Sequence, residues 1–249
     1  MIIPKDYGHF GTNSAEYNLA RTAFPDEVFC LLWKQFGTNN PRILDVGCGT
    51  GIATRQLAQR GAKVIGADID ALMIEEAKKT SVSEIAYLTA PTESLPFLDT
   101  SFEAVTAFSS FHWFANGVAV SEIARILVPQ GSFLAVNKDD TSKFRVGYRA
   151  CIAKFARGEL PDIKEKYFPA KMFLDAGFNT VTESSIDVCE QYTLDGMLRY
   201  LHSVSLWNLV PSELKGAASE ALRDYCSQHL VDGLIERKIT IRVTLGRRN

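Results

Sequence analysis

Short apolar runs alternate with segments of helical spacing along the first 137 residues of the chain. The runs have strand length, whereas the segments between them repeat apolar residues every three to four positions. The predicted strands cover residues 42–46, 63–67, 85–89, 104–108 and 132–136, and the predicted helices cover residues 51–60, 70–79 and 118–127. Strands separated by helices are typical of a parallel sheet that is covered on both faces. Because such crossovers are right-handed, the pattern predicts an α/β fold with a doubly wound, mostly parallel sheet.

From residue 138 onward the pattern changes. Helical spacing dominates, and two segments alternate apolar and polar residues as half-buried strands do. The predicted helices there cover residues 142–157, 194–201 and 212–230, and the predicted strands cover residues 181–188 and 238–245. A turn rich in breakers, Pro129–Gly131, is expected to separate the last helix of the first part from the fifth strand. We interpret the later helices as a cap over the ligand-binding edge of the sheet.

The composition is that of an ordinary globular protein, since 46% of the 249 residues are hydrophobic and 22% are charged. The formal net charge of −2 provides no basic field for phosphate backbones, so we expect no nucleic-acid partner. The five cysteines lack the paired spacing of zinc or redox sites, which predicts no metal site and free thiols in a reducing compartment. No apolar run reaches signal-peptide or membrane-span length, so we expect a cytoplasmic protein with no membrane partner.

Three glycines alternate directly after the first predicted strand, in the segment Asp45–Gly51. Glycine permits a positive φ and, because it has no Cβ, lets a ligand lie against the backbone. In an open α/β sheet, ligands collect at this position, between the carboxyl end of a strand and the start of a helix. The turn formed by Gly47, Gly49 and Gly51 therefore indicates a ligand site, although glycines alone are a weak signal.

A carboxylate ends the second predicted strand, where Asp68 lies 21 positions after Gly47. An interval of about 20 residues matches a nucleoside held across two strands, with the carboxylate accepting hydrogen bonds from the ribose hydroxyls. The alternative interpretation is a solvated carboxylate at a strand end. Together, the glycine turn and Asp68 predict a cofactor that contains adenosine.

The spacing of the glycines distinguishes between such cofactors. Dinucleotide sites have the pattern G-x-G-x-x-G, whereas this chain has G-x-G-x-G. Asp45 lies two residues before the first glycine, where a carboxylate can receive the ammonium group of an amino-acid moiety, directly or through water. The same carboxylate would repel a pyrophosphate, so NAD is disfavoured.

These residues resemble a known family. The segment Ile43–Gly51 is similar to the first motif of class I S-adenosylmethionine (SAM)-dependent methyltransferases, and Glu93–Glu103 and Glu122–Gly131 resemble later parts of the same family. The segments Tyr17–Pro25 and Phe111–Phe114 are similar to its methyltransferase type 11, trans-aconitate methyltransferase-like small-molecule subgroup. The resemblance implies a seven-stranded Rossmann-like sheet of order 3-2-1-4-5-7-6, in which the last two strands close one edge and the final strand is antiparallel.

The resemblance also implies which residues contact SAM. Gly47 and Gly49 would lie against the cofactor, Asp68 would hold the ribose, and the neighbouring isoleucine would pack against adenine. The adenine edge would meet the threonine–glutamate pair after the third strand, and the amino-acid end would meet the backbone at the end of the fourth. Two residues of the N-terminal helix would close over the cofactor, and the arginine of this pair could meet a carboxylate of cofactor or substrate. The full predicted set is Tyr17, Arg21, Asp45, Gly47, Cys48, Gly49, Gly51, Asp68, Ile69, Met73, Thr92, Glu93 and Phe108.

The chain departs from the family pattern at three positions. Pro91 stands where many relatives have an aspartate that bonds the adenine amine, Glu103 replaces a common aspartate, and Thr22 replaces a common proline. The adenine contact is therefore missing or made by another group, and the entry of the N-terminal helix differs from the usual one.

Candidate acceptor residues lie after the fourth predicted strand and in the cap. His112 could act as general base for a hydroxyl or amine, because its ordinary pKa near 6.5 suits proton removal at neutral pH. The alternative is a packing residue in the pocket wall, and Trp113 is interpreted as an apolar wall. Tyr200, Ser203 and Trp207 are candidates for the substrate pocket, with simple packing as the alternative.

The sequence thus predicts a single domain, with an N-terminal helical lid at residues 1–40, a cofactor-binding core at 41–137, and cap helices and closing strands at 138–249. We expect in-line methyl transfer from SAM to a small-molecule carboxylate, hydroxyl or amine, leaving S-adenosylhomocysteine (SAH). Two rival functions remain at this point: a noncatalytic SAM-binding protein, suggested by Pro91, and a nicotinamide-dependent dehydrogenase that shares the sheet plan. The acceptor atom and the oligomeric state stay open.

Overall fold

A computed structural model describes residues 10–81, 84–161 and 167–249 of the chain. The strands are β1 Arg42–Val46, β2 Lys63–Asp68, β3 Ala86–Thr89, β4 Phe102–Phe108, β5 Leu127–Asp139, β6 Phe178–Tyr192 and β7 Ile235–Arg248. The α-helices are α1 Ser14–Ala20, α2 Asp26–Trp33, α3 Ile52–Gln59, α4 Ala71–Thr80, α5 Gly117–Ile126, α6 Lys143–Ala153, α7 Pro169–Asp175, α8 Leu194–His202 and α9 Lys215–Ser227. None of the helices in these ranges is long and apolar enough to cross a membrane.

The strands form one sheet of order β3-β2-β1-β4-β5-β7-β6, which confirms the expected topology. β1 pairs in parallel with both β2 and β4, β2 pairs with β3, and β4 pairs with β5. All residues of β1 except Arg42 are buried, as expected of a central strand that is covered on both faces. Because the strand order reverses between β1 and β4, their carboxyl ends flank the crevice where ligands bind in sheets of this kind.

Capping side chains set the start of two helices at the ligand edge of the sheet, α4 after β2 and α5 after β4. The Asp70 carboxylate accepts a hydrogen bond from the backbone N–H of Leu72 at 2.9 Å, so α4 begins where the sequence predicts it. The Asn116 side chain accepts one from Ala119 at 2.9 Å and begins α5 in the same way. These caps hold the chain that leaves β2 and β4 in a defined direction at the ligand edge.

The segment Pro129–Gly131, which we expected to interrupt the chain before the fifth strand, lies within β5 instead. The pairing of β5 with β4 is irregular at this point, with a shift of register between Phe102 and Ala104. Gln130 takes a left-handed φ of 62°. The pairing with β4 thus skips residues 128–131, so the turn residues interrupt the regular ladder, whereas the expectation that the strand begins after them was wrong.

The last two strands are longer than predicted, and the direction of β7 stays a prediction. The sequence pattern gave them eight residues each, whereas β6 has 15 residues and β7 has 14. Buried charged residues near their ends, Glu190 in β6 and Arg237 in β7, obscure the apolar–polar alternation that predicts a strand. Local patterns therefore located both strands but underestimated their length.

The chain divides into two compact units, which we describe separately. The helical unit comprises Met1–Thr22, Asp139–Asp162 and Asp187–Thr240. The sheet unit comprises Ala23–Lys138, Ile163–Ile186 and Ile241–Asn249. The interpretation of the chain as a single domain with a helical cap stays a prediction.

Candidate active site

The glycine turn directly follows β1, and its glycines are left-handed, with φ of 60° at Gly47, 55° at Gly49 and 78° at Gly51. A Cβ on Gly47 would lie 2.6 Å from the Cβ of Ser110, and one on Gly51 would lie 2.5 Å from the hydroxyl of Tyr87. Within the described part of the chain, a Cβ on Gly49 would meet only the end of one flexible side chain, at 3.2 Å. The protein itself therefore packs against Gly47 and Gly51, and Gly49 is the glycine that leaves room beside the turn.

We expect Gly47→Ala to lower the free energy of unfolding by at least about 2 kcal/mol. An L-residue in the left-handed region costs about 1–2 kcal/mol, and overpacking against Ser110 adds about 1–3 kcal/mol. Gly37→Ala is the matched control, because a Cβ at Gly37 meets nothing within 4 Å among the described residues. Urea unfolding of the two variants measures the difference in the free energy of unfolding. A Gly47→Ala protein as stable as the control would contradict the claim that a Cβ at this position is strained.

Asp68 ends β2 and faces the glycine turn. Its Oδ2 accepts a hydrogen bond from the backbone N–H of Gly49 at 2.8 Å, and its Oδ1 accepts one from Asp70 at 2.9 Å. The turn and the carboxylate, which the sequence predicts to act together, are therefore in direct contact. Burial raises the pKa of Asp68, while the N–H donors act in the opposite direction. Because a carboxylate offers about four lone-pair sites, it can accept further donors such as hydroxyl groups.

Asp45 lies within β1 and has no exposed surface. Its Oδ2 accepts a hydrogen bond from the Thr54 hydroxyl at 2.6 Å, and its Oδ1 accepts one from the Thr106 hydroxyl at 2.9 Å. Burial raises the pKa of Asp45 from 3.8 to about 7, although both hydroxyl donors lower it. Hydroxyls of α3 and β4 thus hold this carboxyl group behind the turn, and its contact with an ammonium group stays a prediction.

The surface next to Asp68 is apolar. Ile69 is 73% exposed and Leu72 is 46% exposed, whereas Met73 is buried beside the turn. Adjacent exposed apolar side chains at the carboxyl end of a strand are suited to a flat apolar ligand surface. The exposed side chains of Ile69 and Leu72 therefore provide an apolar surface for the predicted packing of adenine. The contacts of Ile69 and Met73 with SAM stay predictions.

Three further predicted cofactor residues surround the turn and the loop after β3. Burial raises the pKa of the Cys48 thiol well above its ordinary value, so the thiol is a neutral packing group. Thr92 is buried, and Glu93 accepts a hydrogen bond from the Asn116 side chain at 2.9 Å. This bond links Glu93 to the cap of α5, and the contacts of all three residues with SAM stay predictions.

Aromatic packing anchors the segment that leaves β4. Phe108 is buried, with its ring centroid 4.8 Å from that of Phe24 and 5.5 Å from that of Phe29. Phe111 has no exposed surface and packs edge-on against Phe133, with ring centroids 5.2 Å apart. These contacts fix the short 3-10 helix of residues 111–113 at the carboxyl end of the strand.

His112 and Trp113 lie in this 3-10 helix, as part of an aromatic wall. The His112 ring centroid is 5.0 Å from that of Trp113 and 6.1 Å from that of Tyr167. Trp113 is 37% exposed. The roles of His112 as a base and of both residues as pocket walls stay predictions.

Four predicted ligand residues meet within the helical unit. The Arg21 guanidinium carbon lies over the rings of Tyr17 and Tyr200, 4.6 Å and 4.9 Å from their centroids. Its Nη2 donates a hydrogen bond to the carbonyl oxygen of Ser203 at 2.9 Å. The structure thus gathers residues from α1 and α8 that the sequence analysis named separately, and their contacts with ligands stay predictions.

A cavity of about 260 Å³ lies within the helical unit and is lined in part by Ser203 and Trp207. The Trp207 ring stacks on that of His202, with centroids 4.3 Å apart, and the ammonium group of Lys215 lies 5.9 Å from the Trp207 centroid. Burial lowers the pKa of His202, and Lys215 acts in the same direction. His202 and Lys215 line the cavity as well, and no spacing in the sequence pointed to them.

The helical unit also contains a buried ion cluster that the sequence analysis missed. Arg237 of β7 donates from Nε to Asp140 at 2.9 Å and from Nη1 to Glu190 at 2.6 Å. Its guanidinium carbon lies 4.4 Å from the centroid of the Tyr200 ring. In the ranges that the structure describes, no group of His, Cys, Asp or Glu side chains is arranged to hold a metal ion.

Comparisons with known proteins agree with this geometry. A family model described as a methyltransferase domain matches residues 44–135, from β1 to β5. An uncharacterized methyltransferase of Schizosaccharomyces pombe is 29% identical over 209 residues, covering 83% of this chain and 82% of the relative. Another, from Mycobacterium bovis, is 24% identical over 221 residues, covering 88% of this chain and 86% of the relative.

Solved structures share the fold. A protein from Anaeromyxobacter dehalogenans that is described as a type II methyltransferase has a TM-score of 0.65 at 20% identity, covering 92% of this chain and 97% of that chain. Phosphoethanolamine N-methyltransferase 2 of Haemonchus contortus, in complex with phosphomonomethylethanolamine and SAH, has a TM-score of 0.57 at 18% identity and covers 99% of this chain and 60% of that chain. At these identities the likeness shows the fold alone. The sheet order, the methyltransferase domain matched over residues 44–135 and the relatives named as methyltransferases together support a class I SAM-dependent methyltransferase.

Proposed function

We propose that the chain transfers the methyl group of SAM to a small-molecule acceptor by in-line displacement. The observation that carries the proposal is the hydrogen bond from Gly49 to Asp68, because it joins a backbone turn and a carboxylate at one crevice of the sheet. The net charge of −2 supports a small acceptor over a nucleic acid, which requires a basic surface.

The residues around this crevice fit SAM. Asp68 retains lone pairs for the ribose hydroxyls, Ile69 exposes an apolar surface for adenine, and Gly49 leaves room beside the turn. Asp45 supplies a carboxyl group for the amino-acid end, on the far side of the turn from solvent. When bound, SAM supplies an electrophilic methyl carbon, to which the acceptor's lone pair bonds as the electron pair of the S–C bond passes to sulfur.

The side chains that follow β4 orient the acceptor, exclude water and remove a proton where one is present. The wall of His112, Trp113 and Tyr167 excludes water from one side and restricts how an acceptor can lie. For a hydroxyl or amine acceptor, a ring nitrogen of His112 takes the proton, whereas a carboxylate acceptor needs no base. The part that His112 plays therefore depends on the class of acceptor.

We expect Asp68→Ala to weaken SAM binding by about 1–3 kcal/mol, the scale of a lost hydrogen bond to a charged group. Asp68→Asn, which keeps an acceptor oxygen for the turn, should fall between this variant and the wild type. Asp175→Ala is the control, because Asp175 is exposed and pairs only with the exposed Lys171 among the described residues. Calorimetric titration with SAM measures all four proteins, and an unchanged dissociation constant for Asp68→Ala would remove Asp68 from the site.

The proposed function itself is tested by two measurements on the wild type. Titration with SAH should give saturable heat at a single site. Incubation with SAM carrying a tritiated methyl group and pooled small-molecule acceptors should transfer the label to an acceptor. A protein that binds neither SAM nor SAH contradicts the proposal.

A further inference from the structure

Two buried polar atoms at the carboxyl ends of β4 and β5 have no hydrogen-bond partner among the described residues. They are Oγ of Ser109 and Oδ1 of Asn137. The backbone N–H of Ser109 donates to the carbonyl oxygen of Val136 at 2.7 Å, so Ser109 and Asn137 lie side by side at the ends of neighbouring strands. Since about nine in ten buried polar groups are paired in proteins, two orphans at one strand edge indicate a partner that binds there.

The backbone of Ser109 is strained. Its φ is 53°, in the left-handed region that residues other than glycine seldom adopt. The hydroxyl of the next residue, Ser110, is by contrast hydrogen-bonded, because it donates to the carbonyl oxygen of Val46 at 3.0 Å. A strained residue with an unsatisfied hydroxyl persists only where the surrounding structure enforces it, and such residues gather at ligand sites.

The Asn137 side chain connects this edge to the aromatic wall. Its Nδ2 donates to the Tyr167 hydroxyl at 2.7 Å, and the Tyr167 ring lies 6.1 Å from that of His112. The nearest cation along the chain, Lys138, places its ammonium group over the ring of Phe24, 4.8 Å from the centroid. The side chain that carries the orphan oxygen of Asn137 is therefore linked through Tyr167 to the candidate base.

We propose, on the basis of the methyl transfer proposed above, that Ser109 and Asn137 bind a hydroxyl or amine group of the methyl acceptor. An amide oxygen can only accept, so its partner must carry an O–H or N–H, and a serine hydroxyl can complete the pair as donor or acceptor. A carboxylate has only acceptor oxygens, which would face Asn137 Oδ1 with repulsion. Ser109 is only partly buried as a residue, so a ligand can approach the strand end that carries its hydroxyl.

The first test compares the adjacent serines. Ser109→Ala removes a hydroxyl that the free protein does not satisfy, so the melting temperature should stay unchanged or rise by about 2–4 °C. Ser110→Ala removes a satisfied hydroxyl and should lower it by a similar amount. A Ser109→Ala protein that melts as early as Ser110→Ala would show a structural role for Ser109 and overturn the proposal.

The second test uses matched aromatic probes, because the wall beside the site is aromatic. Phenol, aniline and benzoate differ in the polar group and are titrated at pH 7.5 into the SAH-loaded protein, with the side-chain amide resonance of Asn137 as the readout. Phenol and aniline should shift this resonance, benzoate should not, and Ser109→Ala should weaken phenol binding about tenfold, the effect of one lost hydrogen bond. An equal shift with benzoate, or no shift with phenol and aniline, overturns the proposal.

Calorimetry with SAH separates this proposal from the one on which it rests. If the wild type does not bind SAH, the proposed function fails. If SAH binds and the probes leave Asn137 unmoved, only the acceptor site fails, and an internal water then satisfies the two atoms. If Ser109→Ala weakens SAH binding itself, Ser109 belongs to the cofactor site and the acceptor assignment is wrong.

Discussion

Replacing Arg237 with methionine is expected to lower the free energy of unfolding by about 3–5 kcal/mol, because it removes the cation that pairs with two buried carboxylates. The side chains of Arg237, Asp140 and Glu190 are only 4%, 3% and 7% exposed. Thr22 and Tyr192 also donate to Glu190, at 2.5 Å and 2.9 Å, but neutral hydroxyls do not balance its charge. Urea unfolding followed by circular dichroism measures the change.

Two comparisons separate the ion cluster from a general effect of losing an arginine. Arg223→Met removes a cation that pairs with Asp195 at 3.2 Å, where both side chains are more than half exposed, so it should change stability by less than about 0.5 kcal/mol. The triple variant Arg237→Met, Asp140→Asn, Glu190→Gln removes all three charges and should recover most of the loss. If the triple variant is as unstable as Arg237→Met alone, lost packing on Tyr200 explains the effect and the lost ion pairs with Asp140 and Glu190 do not.

The doubly wound sheet and the meeting of the glycine turn with Asp68 at one edge were predictable because they depend on features close together in sequence. Apolar runs, glycines and a strand-end carboxylate locate the elements, and the handedness of crossovers leaves few ways to arrange them. The carboxyl ends of neighbouring parallel strands must then meet at one edge. The order of all seven strands was implied by the family resemblance that the same segments carry, and the structure confirms it.

The missed features depend on residues far apart in the chain. Arg237 and Asp140 are separated by 97 positions, and the alternating pattern that predicted the last strand began only after Arg237. At Gly51, glycine was explained by room for a ligand, whereas the Tyr87 hydroxyl occupies that space. Each of these contacts requires the folded backbone before its partners can be named.

Ser109 escaped the sequence analysis for a different reason. Its left-handed backbone has no signal in the sequence, because that conformation is associated with glycine and asparagine rather than serine. Nor does a serine after a strand stand out by type. Backbone strain at a ligand site is recognised when a residue adopts φ and ψ angles that its type seldom takes. Those angles are known only from the structure.

Asp45→Asn is expected to stabilise the protein at neutral pH and to change how its stability depends on pH. The pKa of Asp45 is raised from 3.8 in its ordinary state to about 7 in the folded protein, chiefly by burial. Between these values the folded chain holds a proton that the unfolded chain has lost, so stability falls as pH rises from about 4 to about 7. At 1.36 kcal/mol per pH unit, the ionisation of Asp45 lowers the free energy of unfolding by about 4 kcal/mol over that range.

Asparagine resembles the protonated carboxyl group, because its oxygen can accept from one threonine hydroxyl and its NH₂ can donate to the other. The stability of Asp45→Asn relative to the wild type should therefore increase by about 4 kcal/mol from pH 4 to pH 8, and Asp175→Asn, at an exposed site, should show no such trend. Urea unfolding at four or five pH values gives both curves, and parallel curves for Asp45→Asn and the wild type would disprove the raised pKa. A variant that is more stable at pH 8 yet binds SAH more weakly would show that the buried carboxylate is kept for the cofactor at the expense of stability.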